Sequence, residues 1–218
     1  IHEVDSLRSS ASDLERENPI VNSALIDTYC RGAVVLLSSH IEGYVKELGE
    51  HAIQRFIHRG VCRSKFDSVF FYYISQDIIE EINDTKDRGK ISNKIFSFIR
   101  RDYEHWGRSG PFTSAVDAEN FNKGFSNPTF KKVKSYLRRF GYKEYEGDLK
   151  QSLKGDAAPA INSINQIVDL RNLIAHGDPS ATKTPAEIGD YIRLARIFCR
   201  TTDDVFCRWS NSTLCTLR

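Results

Sequence analysis

Between Pro19 and Ile57 apolar residues recur mostly at three- and four-residue steps or their sum: Ile26, Ala33, Leu37, Ile41, Tyr44, Val45, Leu48 and Ala52. That is the period of a helix with one buried face, and it predicts a long first helix that other helices must cover. No stretch of strand-like alternation competes with it. FDSVFFYYISQDIIEEIND and ISNKIFSFIRRDYEHW are also expected to be helical, the second with Ile91, Ile95, Phe98 and Ile99 on one face. From Gly107 to Ser126 the composition turns to Gly, Ser, Asn and Asp without a period, which marks the main irregular segment, about 107–126. Asn127 as N-cap, Pro128 at the first helical position and Gly141 at the left-handed exit bracket the short helix TFKKVKSYLRRF. The charged stretch YKEYEGDLKQSLKG reads as a turn. Asp156 then caps AAPAINSINQIVDLRNLIAH, which Gly177, Asp178 and Pro179 end. Thr184, Pro185 and Glu187 make a capping box that opens a last helix through about Cys207. The expected fold is all-α, a bundle built on long antiparallel helices, with residues 1–218 as a single domain.

Composition narrows the function classes. With 40% apolar and 28% charged residues, the 218-residue chain is ordinary for a domain that buries a core. A net charge of +2 does not by itself announce a nucleic-acid binder, because phosphate binding depends on local clusters. Cys30, Cys62, Cys199, Cys207 and Cys215 are odd in number and contain no C-x-x-C pair, so they are expected to be reduced thiols. No window approaches the roughly 18 apolar residues that span a bilayer, and IHEVDSLRSSASDLEREN lacks a signal-peptide core. A cytosolic protein without membrane contact is expected.

The Asp156 helix carries the most informative residues. At about 100° per residue, Ile161, Ile164, Ile167, Val168, Leu170, Ile174 and Ala175 cover one apolar half of it, and Arg171 falls in their midst. An unpaired buried charge is costly, so Arg171 needs a partner, a cavity or a ligand. Asn172 and His176 stack four residues apart at the edge of that face, His176 in the last turn. Arg171 and His176 lie about 140° apart around the helix, so they line two walls of a groove that a second helix or a second subunit would close. The bare spacing is weak, since Arg100 and His105 repeat it. Arg100, however, lies opposite its own apolar stripe, where a solvated arginine costs nothing.

The run RNLIAHGD resembles the signature of the HEPN superfamily (higher eukaryotes and prokaryotes nucleotide-binding), whose nuclease members carry an Arg, a polar residue after it and a His four to six positions on. Arg171, Asn172 and His176 fill those places. The resemblance extends to AVVLLSSHIEGYVKEL with its acidic Glu42, to SNPTFKKVKSYLRRFGY and to the last helix, but carries nothing over for Gly60 to Ser126. It implies a HEPN-type bundle and a metal-independent endoribonuclease without cofactor, acting on RNA as a homodimer. It also implies the toxin or effector of a toxin–antitoxin or phage-defence system, with an antitoxin protein as possible partner. On this reading His176 moves a proton, Arg171 neutralises the phosphorane, Asn172 orients the imidazole or holds a phosphate oxygen, and Glu42 pairs with Arg171, with Asp27 as second choice.

Lys131, Lys134 and Arg138 share a face of the Asn127 helix, a solvated face by default and an RNA-binding patch otherwise. FIRRDYEHWGR interleaves Arg100, Arg101 and Arg108 with Tyr103 and Trp106, which could stack on single-stranded bases. His58 and Cys62 have ligand spacing, but no third ligand is evident, so no metal is expected. Two other readings stay open: a catalytically silent HEPN module that binds RNA or nucleotide, and a helical dimerisation or interaction protein.

Overall fold

The computed structural model describes residues 1–113 and 115–217, without the side chains of residues 101–104. Its helices are α1 (His2–Glu17), α2 (Ser23–His58), α3 (Ser68–Ile74), α4 (Gln76–Asp84), α5 (Arg88–Trp106), α6 (Ala118–Asn122), α7 (Phe130–Arg138), α8 (Tyr145–Leu153), α9 (Ala157–Ala175) and α10 (Pro185–Thr213). Single 3₁₀ turns lie at Arg63–Lys65 and Lys154–Asp156, and no strand occurs among the described residues. The chain is all-α, as its periodicities predict.

Four local expectations need correction. The stretch read as a charged turn is helix α8, because Tyr145, Leu149 and Leu153, four residues apart, are all buried. Asp156 does not cap α9: it has helical φ and ψ, and its side chain makes no cap hydrogen bond. Asn127 is not the N-cap of α7, which starts at Phe130 with the Thr129 hydroxyl accepting from the Lys132 N–H. Within the segment read as irregular, the Asp117 carboxylate caps a short helix, α6.

The described residues form two compact units. The first comprises Ile1–Val45, Ser126–Val133 and Gly147–Asp203. Its core is mainly aliphatic, with Ala33, Leu37, Ile41 and Val45 of α2 buried alongside Ile164, Ile167 and Val168 of α9 and Ile188, Ile192 and Ala195 of α10. Glu3 lies 3.4 Å from His40 and Asn22 donates to the Leu14 carbonyl, so α1 runs antiparallel to α2. Arg31 donates to the carbonyls of Asp178 and Ala181, and the Tyr44 hydroxyl donates to the Cys199 carbonyl. These contacts set α10 in the direction of α2, with α9 running against both. The Thr184–Glu187 capping box closes at both hydrogen bonds, 3.3 and 2.9 Å, and opens α10.

The second unit comprises Lys46–Phe125, Lys134–Glu146 and the chain from Asp204 on, and its core is aromatic. Phe56, Phe66, Phe70, Phe121, Phe140 and Phe206 are each at most 2% exposed and meet mostly edge-on or tilted. Gly49 is required here, since a Cβ would run into the buried Tyr136 hydroxyl oxygen. That hydroxyl donates to the Asn122 amide oxygen. Buried Arg139 has no carboxylate partner among the described residues; it stacks 4.1 Å from the Tyr73 ring and donates to the Phe121 and Lys123 carbonyls. The apolar stripe of α5 is covered only in part: Ile91 and Phe98 are half-buried, while Ile95 and Ile99 are 41% and 52% exposed.

Candidate functional site at the C-terminal end of α9

Helix α9 ends at a glycine. Gly177 has φ +80°, its N–H donates to the Ile174 carbonyl, and the Asp178 N–H donates to the Leu173 carbonyl. This pair of bonds is the Schellman motif, and it satisfies carbonyls that the helix end would otherwise orphan. The motif places His176 at the cap position with its imidazole exposed. The loop beyond is fixed from α2: Arg31 holds two of its carbonyls, and Thr182 donates to Asp27 at 2.9 Å. The Ser180 hydroxyl first, and its N–H next, hold the Asp178 carboxyl below the usual carboxylate range.

Arg171 is half-buried rather than buried. Its Nη1 donates to the Asn127 side-chain oxygen and to that of Asn172, each at 3.2 Å. It forms no ion pair among the described residues, so the expected pairing with Glu42 is not made, and Asp27 is engaged by Thr182 instead. The physical reason lies in the exposure. A guanidinium that keeps part of its hydration does not need a counter-charge, and two amide oxygens suffice to hold it. Glu42 still belongs to the constellation, because its Oε2 accepts the backbone N–H of Asn127 at 3.1 Å. Asn127 therefore joins Glu42 to Arg171, and it does so at φ +52°, a left-handed conformation for a residue that precedes proline. The Phe130 N–H, three residues on, donates to Asn165 of α9, which ties this segment to the helix a second time.

The structure thus brings Arg171, Asn172 and Glu42 together around Asn127, with His176 one turn beyond on the same helix. Asn172 contacts Arg171 by its side chain; its link to His176 is the helical N–H to carbonyl bond. Among the described residues the His176 side chain makes no hydrogen bond, and Nε and Nη2 of Arg171 are likewise without a partner. Lys131 is exposed in the first unit. In the second unit Arg138 is exposed, while Lys134 is engaged by Glu146 at 2.7 Å. Arg100 is exposed as expected, and the side chains of Arg101 and Tyr103 lie outside the described residues. Trp106 donates its indole N–H to Ser75, so it is anchored at its polar edge. No three of His, Cys, Asp and Glu converge as a metal site among the described residues. An open groove of the first unit is lined by Asn162, Gln166, Lys183, Glu187, Asp190 and Tyr191, and none of the four proposed catalytic residues takes part in it.

Sequence reasoning assigned Asn127 a cap and missed its contact with Arg171. The signal was available in part: Asn is the non-glycine residue that most readily adopts positive φ. Its partner on α9, however, is 44 residues away.

No helix among the described residues is long and apolar enough to cross a membrane. No curated protein and no solved structure matches the chain. The RiboL-PSP-HEPN family model matches residues 1–208, nearly the whole chain, and such membership suggests an RNase-type or RNA-binding function. The chain belongs to the RiboL-PSP-HEPN family.

Proposed function

We propose that this chain is a metal-independent endoribonuclease, the toxin or effector of a toxin–antitoxin or phage-defence system, with Arg171, His176, Asn172 and Glu42 forming its site. One observation carries the reading. Among the described residues the Arg171 guanidinium is anchored by one nitrogen on two neutral amide oxygens, keeps its Nε and Nη2 edge without a partner, and meets no carboxylate that would neutralise it. A planar fork held in this way suits two oxygens of a phosphate. An exposed imidazole stands at the same helix end, where it can take up or give a proton.

RNA brings its own nucleophile. The 2′-hydroxyl oxygen bonds to phosphorus, its proton passes to a base, the bond from phosphorus to the 5′-oxygen breaks, and that oxygen takes up a proton. His176 serves one of these proton transfers, and Arg171 stabilises the charge on the pentavalent phosphorus. The products are a 2′,3′-cyclic phosphate and a 5′-hydroxyl, and DNA is not cut. Lys131 of the first unit, and Arg138 and Lys134 of the second, are candidates for tracking the RNA backbone.

The site is proposed to work as a homodimer. Leu173, beside Asn172 in the motif, is 47% exposed, and an apolar side chain exposed at this end of α9 suits a self-complementary two-fold contact there. The test of the function is purified protein with RNA in chelator, compared with His176→Ala. Cleavage by the wild type alone, with 5′-hydroxyl ends, is the expected result. Products with 5′-phosphate ends, or activity that needs added magnesium, overturn it, and intact RNA with measurable binding selects the silent binding module.

A further inference from the structure

We infer that Asn127 is a positioning residue that aims the Arg171 guanidinium while leaving its charge whole, an inference that rests on the ribonuclease reading above. Asn127 is pinned from both sides. Its N–H donates to Glu42 of α2 at 3.1 Å, its carbonyl accepts from Thr129 at 2.7 Å, and its side-chain oxygen takes the Arg171 Nη1 hydrogen. It sits at φ +52°, which Asn tolerates better than other side-chain-bearing residues but which the following Pro128 disfavours, so its surroundings hold it there. Such strain kept in place beside a guanidinium is what pre-organisation of that guanidinium requires.

The amide is the instructive choice. An aspartate here would accept the same hydrogen bond but would set a negative charge against Arg171 and weaken its pull on a phosphate. A neutral oxygen fixes the fork and leaves the positive charge for the ligand. Asn172 supplies the second neutral oxygen on the same nitrogen, so both contacts orient Arg171 without quenching it. Glu42 accordingly acts through Asn127: its carboxylate sets the backbone that presents the amide, one residue removed from the guanidinium.

The experiment compares Asn127→Gly and Asn127→Asp with the wild-type full chain. It measures thermal midpoint, RNA affinity against salt, kcat and KM, and the ¹⁵N NMR signal of the Arg171 guanidinium. Glycine accepts positive φ and keeps the N–H to Glu42, so the Asn127→Gly midpoint should equal or exceed that of the wild type. Its kcat should fall about tenfold or more, with rotation of the guanidinium faster because only the Asn172 contact still holds it. Asn127→Asp should bind RNA more weakly, with a salt slope lower by about 0.7, the value of one lost phosphate contact on a single strand. Asn127→Gly with wild-type kcat and an unchanged guanidinium signal overturns the inference, as does a lowered midpoint that accounts for its lost activity. If the wild type leaves RNA intact yet Asn127→Asp still lowers affinity and salt slope, the ribonuclease reading fails and the positioning role stands. If the wild type neither cuts nor binds RNA, both fail.

Discussion

At Arg171 the physics of the site reduces to a choice between charge and geometry. A lysine there keeps the charge but cannot take two amide oxygens on one nitrogen and offer a second edge to phosphate. Arg171→Lys should therefore lose about two orders of magnitude or more in kcat/KM with the thermal midpoint unmoved, and near-wild-type activity would remove the fork from the mechanism. Glu42 gives a finer test. Since it accepts a backbone N–H, a glutamine carbonyl can replace it, so Glu42→Gln should stay within about tenfold of wild type while Glu42→Leu leaves a polar group unsatisfied and loses far more. A large loss in Glu42→Gln would mean that its negative charge is needed. The places of Arg171 and His176 on α9 were legible in the sequence, because the first breaks an apolar face and the second stands just before a helix stop; the roles proposed for them come from the family resemblance. Asn127 was not, because its role depends on a left-handed backbone and on an α9 partner distant in the chain. The Arg171–Glu42 ion pair was misread for one reason: helical periodicity places Arg171 on the apolar face but cannot say that the end of that face is half open.

Helices were legible where capping chemistry and apolar spacing agree, as at the Thr184–Glu187 box and the Gly177 exit. They were misread where charge density hid a stripe, as in α8, whose buried Tyr145, Leu149 and Leu153 are separated by polar residues. The capping box has a measurable pH signature. Lys183 first, and Thr184 next, hold the Glu187 carboxyl below its usual range. A lowered folded-state pKa means that the contribution is complete above the ordinary glutamate value of about 4.3 and fades as pH falls through the lowered one. The midpoint advantage of wild type over Glu187→Gln should therefore be present at neutral pH and shrink below about pH 4; a constant difference would assign Glu187 no ionised role. In the aromatic unit, Gly49→Ala drives a methyl into the Tyr136 hydroxyl and should cost about 1–3 kcal/mol. The side chains of α5 contrast with this. Phe96 is 69% exposed, so Phe96→Ser should change stability by less than about 0.5 kcal/mol. Denaturant midpoints of the two variants check both claims.

For the molecule as a whole, the decisive question is whether one chain suffices for the reaction. Arg171 and His176 belong to one helix but stand five residues apart, His176 exposed at its end and Leu173 exposed between them. If two copies meet at this end, each reacting phosphate can be served by Arg171 of one chain and His176 of the other. A composite site makes a prediction that a site within one chain does not. Arg171→Ala and His176→Ala are each inactive alone, yet on mixing and subunit exchange about half of the dimers become heterodimers. In a heterodimer the intact His176 of one chain and the intact Arg171 of the other can complete a cleft, so activity should reappear after mixing, in proportion to the heterodimer formed. Leu173→Glu, which places charge on the exposed apolar edge, should shift light scattering to the monomer and abolish that recovery. Mixed variants that stay inactive while forming dimers would place the whole chemistry within one chain. A wild type that cleaves RNA as a monomer at micromolar concentration would show that no second copy is needed.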